Sequence, residues 1–390
     1  MSGYEQLFRR LDEVGTISRG KSKHRPRNDP ILYGGPHPFI QTGDVKHANF
    51  YVDSYSQTYS DKGLAQSKIW PAGTLCITIA ANIADTAILK FPACFPDSII
   101  GFTAKDGVAC TAFVKYCLDT YKTQMQSISQ GTTQDNMSQG KLLSLKFRMP
   151  DFQTQQKIAA ILSAYDDLIA NNQRRIALLE RLAEDIYREW FVRLRFPGHE
   201  QVKIEKGVPQ GWTQRRFGEF CVLKRGYDLP DSAIEPGPHP VIASTSIKAH
   251  HKSFKTLPPV ITTGRSGSLG DVLYVNAKAW PLNTSLYVQD FCGNSPFLIF
   301  YTLKNMGLAN FNSGAGVPSL NRNHLNGISI AVPPSTIQTA FDTQLSPIFE
   351  LKDQLEKQVE LIKTTRDALL PRLISGQLAV DGLDIQFPRG

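Results

Sequence analysis

The sequence lacks the segments that would place it in a membrane or hold it together by disulfides. No run of 18 apolar residues occurs in the 390 positions, so no membrane-spanning helix is predicted. The cysteines form no C-x-x-C pair and no framework spacing, which argues against disulfides and zinc sites. We therefore expect a soluble, cytoplasmic protein without membrane contacts, whose thiols are reduced: Cys76, Cys94, Cys110, Cys117, Cys221 and Cys292.

The sequence also lacks the usual catalytic signatures. There is no G-x-G-x-x-G opening a dinucleotide fold, no H-E-x-x-H, no G-x-S-x-G and no D-x(n)-D/E-x-K run of a nuclease. Amino-methyl transfer to a base requires Asn or Asp, two prolines and an aromatic residue, and Val332-Pro333-Pro334-Ser335 has neither end of that motif. These absences predict a protein that recognises a partner and catalyses nothing.

One catalytic motif does match. GTISRGKS at 15–22 fits the phosphate-binding loop G-x-x-x-x-G-K-S. That loop needs a helix directly after it, so that the helix N-terminus meets the phosphates. Here KHRPRNDP follows, and its two prolines exclude a helix of useful length. We therefore predict no nucleotide site.

The charge balance favours an acidic partner. Lys and Arg number 43 against 35 Asp and Glu, a formal net charge of +8. Nucleic acid is one such partner, although net charge alone is a weak guide.

An internal repeat organises the chain. GPHPFI at 35–40 returns as GPHPVI at 237–242, and RLDEVGTISRG at 10–20 resembles RFGEFCVLKRG at 216–226. Further on, ITIAANIADTAIL (77–89) aligns with ITTGRSGSLGDVL (261–273), and both copies end in a Pro…Gln pattern. The order of these matches predicts two homologous copies of about 190 residues each.

Each copy begins with a lobe and ends with a long helix. Short apolar runs broken by Gly, Pro and Asn predict mixed α/β lobes, in which FVKYCLDTY and FLIFYTLKN form short helices. A heptad pattern then follows in each copy, typical of a helix that packs along another helix. Ser163 with Asp166 resembles a capping box and Pro347 suits a first turn, which predicts helices of about 30 residues, roughly 45 Å.

We predict that the two helices pair antiparallel, which relates the lobes by an approximate two-fold axis. The alternative is that each amphipathic helix packs separately on its own lobe. Asn172 on the seam either sets the register of the pair or lies at a solvated edge. The residues predicted to pair the helices or dock other subunits are Ile158, Leu162, Ile169, Asn172, Ile176, Leu179, Ile186, Leu345, Leu355, Val359, Ile362 and Leu369.

Basic loops occupy comparable places in the two copies, which strengthens a nucleic-acid interpretation over that of solvated surface loops. Adjacent His250 and His251 lack a nearby carboxylate or thiolate in sequence, so surface or DNA-facing positions are favoured over a metal site. The predicted DNA-binding residues are Lys21, Lys23, Arg25, Arg27, Lys224, Arg225, Lys248, Lys252, Arg265, Asn321 and Arg322. Arg25, Arg27, Arg265 and Arg322 are the candidates for reading base edges.

The two helical regions resemble those of the specificity subunits of type I restriction–modification systems. MPDFQTQQKIAAILSAYDDLIANNQRRIALLERLAEDIY is similar to the central conserved region of that family. VPPSTIQTAFDTQL with LIKTTRDALLPRLISGQL is similar to its distal region. The second junction departs from the first, with Gln338-Thr339-Ala340-Phe341 where the first has Gln155-Gln156-Lys157-Ile158.

The resemblance implies a division into target recognition domains at 1–152 and 196–335, a central helical region at 153–195, a distal one at 336–378 and a tail at 379–390. Each domain would read one half of a split site in double-stranded DNA, with the helices setting the spacer and docking two modification subunits. Restriction subunits would join that complex. S-adenosylmethionine, ATP and magnesium are expected in those partners, and no cofactor in this chain. Two alternatives remain: a stand-alone DNA methyltransferase, and a coiled-coil scaffold that makes protein contacts only.

Overall fold

The computed structural model describes residues 8–130, 137–314 and 316–385. The chain forms two compact units, of which unit 1 joins Met1–Asn171 to Gln358–Gly390 and unit 2 is Asn172–Lys357. Within the described ranges, no helix is both long and apolar enough to cross a membrane.

Unit 1 contains a mixed α/β lobe. Its strands are β1 (Phe8–Arg9), β2 (Gly15–Arg19), β3 (Tyr33–Phe39), β4 (Tyr51–Val52), β5 (Gln57–Tyr59), β6 (Ile69–Trp70), β7 (Leu75–Thr78), β8 (Thr86–Leu89), β9 (Ala93–Cys94), β10 (Ile99–Ala104) and β11 (Phe147–Arg148). Its helices are α1 (Leu11–Val14), α2 (Thr42–His47), α3 (Asp61–Ala65), α4 (Thr111–Thr120), α5 (Lys122–Gln130) and α6 (Gln139–Ser144).

Two sheets build this lobe. The larger has the order β2-β10-β7-β8-β4 and the smaller the order β5-β3-β9-β6, while β1 pairs with β11. The helix α4 packs on the larger sheet, and its buried Phe113 joins Phe102 of β10 in the main core. Ile158 and Leu373 from the long helices complete that core, so the lobe and the helix ends share one apolar interior.

The long helix α7 (Phe152–Tyr187) follows and passes into a π-helical turn at Arg188–Val192. Unit 2 then adds the strands β12 (Ile204–Glu205), β13 (Val208–Pro209), β14 (Thr213–Arg216), β15 (Val222–Arg225), β16 (His239–Ile242), β17 (Ile247–His251), β18 (Val260–Gly264), β19 (Val272–Val275), β20 (Trp280–Pro281), β21 (Ser285–Asp290) and β22 (Ser329–Val332). Its helices are α8 (Phe217–Phe220), α9 (Pro296–Asn305) and α10 (Arg322–Asn326). The long helix α11 (Ser335–Ser375) begins in unit 2 and belongs to unit 1 from Gln358 onward.

The second lobe repeats the plan of the first. Its main sheet has the order β15-β21-β18-β19, its smaller sheet the order β17-β16-β20, and β14 pairs with β22 as β1 pairs with β11. The helix α9 holds the place of α4 and contributes buried Ile299 and Tyr301 to the second core. The predicted duplication of a mixed α/β lobe and both predicted short helices are therefore confirmed.

The register of the repeat corrects the sequence alignment in one segment. Arg19, Ile100 and Ile77 lie side by side in the main sheet of unit 1, and Arg225, Leu286 and Thr263 form the same row in unit 2. Ile77 therefore corresponds to Thr263, whereas the Ile-Thr match paired it with Ile261. The alignment of this segment was therefore wrong by two residues.

Both long helices begin earlier than predicted. In α7 the cap is Asp151, whose carboxylate accepts hydrogen bonds from the N–H and the hydroxyl of Thr154 at 2.9 and 2.6 Å. Ser163 instead bonds the carbonyl of Ala160, so the predicted capping box was wrong. In α11, Pro347 lies inside the helix, which begins at Ser335 after two prolines.

Within each unit the long helices run antiparallel to each other. In unit 1, Arg148 of β11, just before α7, donates to the carbonyl of Ile374 at 3.0 Å. Asp166 farther along α7 pairs with Arg366. In unit 2, Glu180 pairs with Lys352 at 3.5 Å, and the rings of Trp190 and Phe341 lie 5.7 Å apart. In both units, residues that come later in the first helical region contact residues that come earlier in α11. This order confirms the predicted antiparallel pair.

Candidate nucleic-acid interface

The basic loop of the first lobe leaves β2 at Gly20 and is held by the segment after α3. The side-chain carbonyl of Gln66 accepts hydrogen bonds from the N–H groups of Lys23 and His24, at 2.5 and 3.0 Å. The hydroxyl of Ser67 donates to the carbonyl of Lys21 at 2.8 Å. The loop therefore has a fixed backbone. The strand Gly15–Arg19 occupies the first residues of GTISRGKS, and no helix of the described residues follows it before Asp29, so the phosphate-binding loop is excluded.

Two of the predicted cations in this loop are already used by the protein. Arg27 places one terminal nitrogen 2.9 and 2.8 Å from the two carboxylate oxygens of Asp97. Arg25 donates to the carbonyls of Ser22 and His24 at 2.7 and 2.8 Å. By contrast, the exposed ammonium groups of Lys21 and Lys23 have no partner among the described residues. The loop therefore offers two free cations.

Lys68 adds a cation that the sequence analysis missed. It directly follows Ser67, which holds the basic loop, and its ammonium lies 3.8 Å from the ring centroid of Trp70. The signal in the sequence is the Lys-x-aromatic spacing of Lys68, just before β6, and Trp70 in it, because residues two apart in extended chain share one face. The aromatic face holds the charge in place.

The second lobe carries its predicted lysines on and beside β17, mostly in exposed ion pairs. Lys248 lies 2.5 Å from Asp231 and Lys252 lies 2.6 Å from Glu235. The hydrogen bond from Lys252 holds the pKa of Glu235 below its usual value. Pairs with this exposure are weak, so a phosphate group competes readily for either lysine.

The two histidines after Lys248 have different roles. His250 is exposed, whereas His251 is buried and its Nδ1 lies 3.0 Å from both the nitrogen and the oxygen of the Glu235 backbone. Among the described residues, no cluster of histidine, cysteine and carboxylate side chains is suited to hold a metal ion.

A polar groove of about 460 Å³ is lined by two of the remaining predicted residues, Lys224 and Arg322. Their chain neighbours Arg225 and Asn321 do not line it. The sequence analysis missed three polar lining residues, Gln289, Asn323 and Asn326. Arg322 donates to the carbonyl of Leu223 at 3.0 Å, Arg225 lies 3.7 Å from Asp228, and Asn321 caps α10 through the N–H of Asn323. Amides and cations of this kind match base edges and phosphates.

Arg265 stands apart from these residues, in the loop between β18 and β19. Its Nε donates to the carbonyl of Asn283 at 2.7 Å. The side chain is half-buried.

The Arg-Gly step after the first main-sheet strand is shared by the lobes, but the next residue differs. A Cβ atom on Gly20 would lie 2.3 Å from the carbonyl oxygens of Phe95 and Pro96, and one on Gly226 would lie 2.2 Å from that of Leu282. Only glycine fits this approach. The following residue is exposed Lys21 in the first lobe, and in the second it is Tyr227, whose hydroxyl lies 2.9 Å from that of Tyr287.

The predicted helix-seam residues all lie on covered parts of α7 and α11. Those that are buried are Ile158, Leu162, Ile169, Asn172, Leu345, Leu355 and Val359, and those that are half-buried are Ile176, Leu179, Ile186, Ile362 and Leu369. Five leucines are exposed on the same helices: Leu168, Leu178, Leu182, Leu351 and Leu361. Of these, Leu351 belongs to the predicted heptad series, and the other four lie off it.

A repeated lobe with cationic and amide-bearing loops, carried on paired long helices, defines a protein with two modules for recognising DNA. The model of the type I restriction modification DNA specificity domain matches residues 1–181 and 209–363. The chain therefore belongs to this family and is a DNA sequence-recognition subunit of the type I restriction–modification class.

Individual relatives agree with this assignment. The chain is 24% identical to the type I restriction enzyme MjaIX specificity subunit of Methanocaldococcus jannaschii, over 96% of this chain and 94% of that one. It is 22% identical to the putative MjaX specificity subunit of the same organism, over 64% and 63% of the two chains. The crystal structure of the type I S subunit from M. genitalium has the same fold, with a TM-score of 0.60 at 16% identity and coverage of 94% and 95%.

Proposed function

We propose that each lobe reads one half of a split DNA sequence and that the paired helices fix the length of the unread spacer between the halves. The observation that carries this proposal is one backbone plan with two different surfaces, as at Lys21 and Tyr227 after the shared Arg-Gly step. A duplicated scaffold with different loop chemistry suits two different half-sites.

The helix α7 is continuous over 36 residues, which is about 54 Å at 1.5 Å per residue. It is therefore long enough to span the roughly 34–36 Å between half-sites one turn of DNA apart.

The exposed leucines of α7 and α11 support a further part of the proposal, which is that the helices dock two modification subunits. Those subunits would bring S-adenosylmethionine and methylate adenine in the site that this chain selects. Restriction subunits that use ATP and magnesium would complete the assembly. This chain supplies the recognition, and the chemistry belongs to its partners.

The test is to produce the chain together with its modification subunits in a host without other methylation and to map the methylated adenines. We expect a bipartite motif with two short defined halves and a spacer of constant length. A contiguous motif, or a spacer of variable length, would contradict the proposal.

A lobe exchange provides the matched control. Replacing residues 1–150 by the first lobe of a related subunit should change one half-site and leave the other half and the spacer as they were. Binding of the purified complex to a duplex carrying the motif should weaken with added salt, since cations on the loops displace counterions from phosphates. Equal binding to a scrambled duplex would indicate a scaffold without sequence recognition.

A further inference from the structure

Arg265 and Ile79 occupy the same backbone position in the two lobes. Each directly follows a central main-sheet strand, β7 or β18. Its N–H donates to the residue just before the neighbouring sheet strand, β10 or β21, and its carbonyl accepts a hydrogen bond from the segment that ends the lobe. The four bonds are Ile79 to Ser98 at 2.9 Å, Met137 to Ile79 at 3.0 Å, Arg265 to Thr284 at 2.8 Å and Leu320 to Arg265 at 2.8 Å. In the first lobe the side chain is apolar and buried, with 1% of its surface exposed. In the second lobe the same position carries a guanidinium group.

The guanidinium of Arg265 is oriented but not neutralised. Its Nε is fixed on the carbonyl of Asn283, and among the described residues neither terminal nitrogen has a partner. The nearby carboxylate of Asp228 is used by other residues, since it accepts a hydrogen bond from the side chain of Asn283 and lies beside Arg225. Because neither terminal nitrogen of Arg265 has a partner among the described residues, both are free to bind a ligand as a pair.

The other candidate arginines lack this property. Arg27 is paired with both oxygens of Asp97, and Arg25 and Arg322 each use a terminal nitrogen on backbone carbonyls. A guanidinium binds two acceptors side by side either through both terminal nitrogens or through Nε with one terminal nitrogen. Of the four, Arg265 is the one whose two terminal nitrogens are both unpartnered among the described residues, and its engaged Nε leaves that end-on pair for a ligand.

The loop around Arg265 is braced on two sides. The hydroxyl of Ser244 donates to the carbonyl of Ser266 at 2.6 Å, and the N–H of Gly267 donates to the carbonyl of Pro318 at 2.9 Å. A Cβ on Gly264 would lie 1.9 Å from the carbonyl oxygen of Ser268, so this turn accepts only glycine. Such bracing lowers the entropy lost when the arginine binds.

We infer that Arg265 reads a guanine in the half-site of the second lobe, with its terminal nitrogens donating to O6 and N7 of the base in the major groove. This pairing is the commonest specific contact between a side chain and a base. The inference rests on the proposed function, since it assigns one base contact to one of the two lobes. It also makes the lobes differ at this position, because Ile79 offers no donor.

The experiment uses the complex with modification subunits and compares wild type with Arg265→Ala and Arg265→Met. Initial methylation rates are measured on duplexes in which each base pair of the motif is changed in turn. The preference for guanine is the ratio of the initial methylation rates on the original and the changed duplex. In both variants we expect this ratio to fall about 5- to 100-fold at one position in the half-site of the second lobe. The preference at every other position should stay within twofold of wild type.

The matched control is Arg215→Ala, which removes an exposed arginine of β14 in the same lobe and should leave the half-site of the second lobe unchanged. Thermal unfolding of each variant complex confirms that the protein is folded. A uniform loss on all duplexes, with a shallower salt dependence, would show a phosphate contact and overturn the inference. So would an unchanged motif in both variants. Neither result affects the proposed function, which is tested by the motif and the spacer of the wild type.

Discussion

Gln155 and Gln338 are equivalent residues that make the same connection in the two halves of the chain. The carbonyl of Gln155 accepts from the N–H of Cys110 at 3.0 Å, and its amide donates to Val108 and Pro150 at 3.0 and 2.8 Å. The carbonyl of Gln338 accepts from the N–H of Ser295 at 2.8 Å, and its amide donates to Asn294 and Pro333 at 3.1 and 2.9 Å. Each buried amide ties the start of a lobe helix to the start of a long helix.

Removing either amide should destabilise its unit. Gln338→Leu and Gln155→Leu keep the size of the side chain but leave a buried N–H and buried acceptors without partners. We expect the free energy of unfolding to fall by about 2–4 kcal/mol in each case, measured by urea denaturation. The exposed Gln153→Leu is the control and should change stability little. A loss below about 0.5 kcal/mol for both buried sites would show that the amides are not needed.

The shared Arg-Gly step predicts a steric effect in both lobes. Gly20→Ala and Gly226→Ala should each lower the free energy of unfolding by about 1–3 kcal/mol, because the added methyl group meets backbone oxygens. Gly43→Ala and Gly327→Ala add a methyl group where no atom lies within 4 Å and serve as controls in the same lobes. If both pairs of variants lose the same free energy of unfolding, the backbone oxygens near Gly20 and Gly226 are not the reason that glycine is required there.

The carboxyl of Asp342 should make the free energy of unfolding of unit 2 depend on pH. Burial raises the pKa of this carboxyl above its usual 3.8, while a hydrogen bond from Ser295 opposes the rise. Between pH 3.8 and the folded pKa, the folded protein keeps a proton on Asp342 that the unfolded chain has already released. The free energy of unfolding therefore falls as the pH rises through this range. Asp342→Asn keeps an acceptor for Ser295 and removes the charge.

We expect Asp342→Asn to raise the melting temperature at pH 7 and to change it little at pH 3, where the wild-type carboxyl is protonated. Thermal unfolding followed by circular dichroism across this range measures the difference. The exposed Asp53→Asn is the control substitution. A lower melting temperature for Asp342→Asn at pH 7 would mean that the ionised carboxylate stabilises the fold.

The proposed spacer function predicts the effect of lengthening the helices. Because α7 and α11 pair antiparallel, seven residues are inserted after Gln173 in α7 and seven after Gln358 in α11. This adds about 10.5 Å, or roughly 3 base pairs at 3.4 Å each. Mapping of methylated adenines should then show unchanged half-sites around a spacer about 3 base pairs longer. Changed half-sites with the original spacer would contradict the assignment of the spacer to the helices.

Periodic and repeated patterns allowed much of the fold to be predicted. The heptad series from Ile158 onward predicted the antiparallel helices, and the Arg-Gly and Gly-Pro-His-Pro matches predicted the duplicated lobe. The helix starts were missed because local capping rules favoured Ser163, whereas Asp166 is used by the hydroxyl of Tyr116 at 2.5 Å and by Arg366. These partners lie far away in sequence.

The sequence by itself determined the two-copy plan, the long amphipathic helices and the excess of basic residues, since these depend on periodicity, repetition and composition. Only the tertiary structure decided which cations are free. Asp97 neutralises Arg27 across 70 positions of sequence, and the carbonyl of Asn283 orients Arg265 without cancelling its charge. Local patterns do not encode such contacts, because strand register and loop closure bring the partners together only in the folded chain.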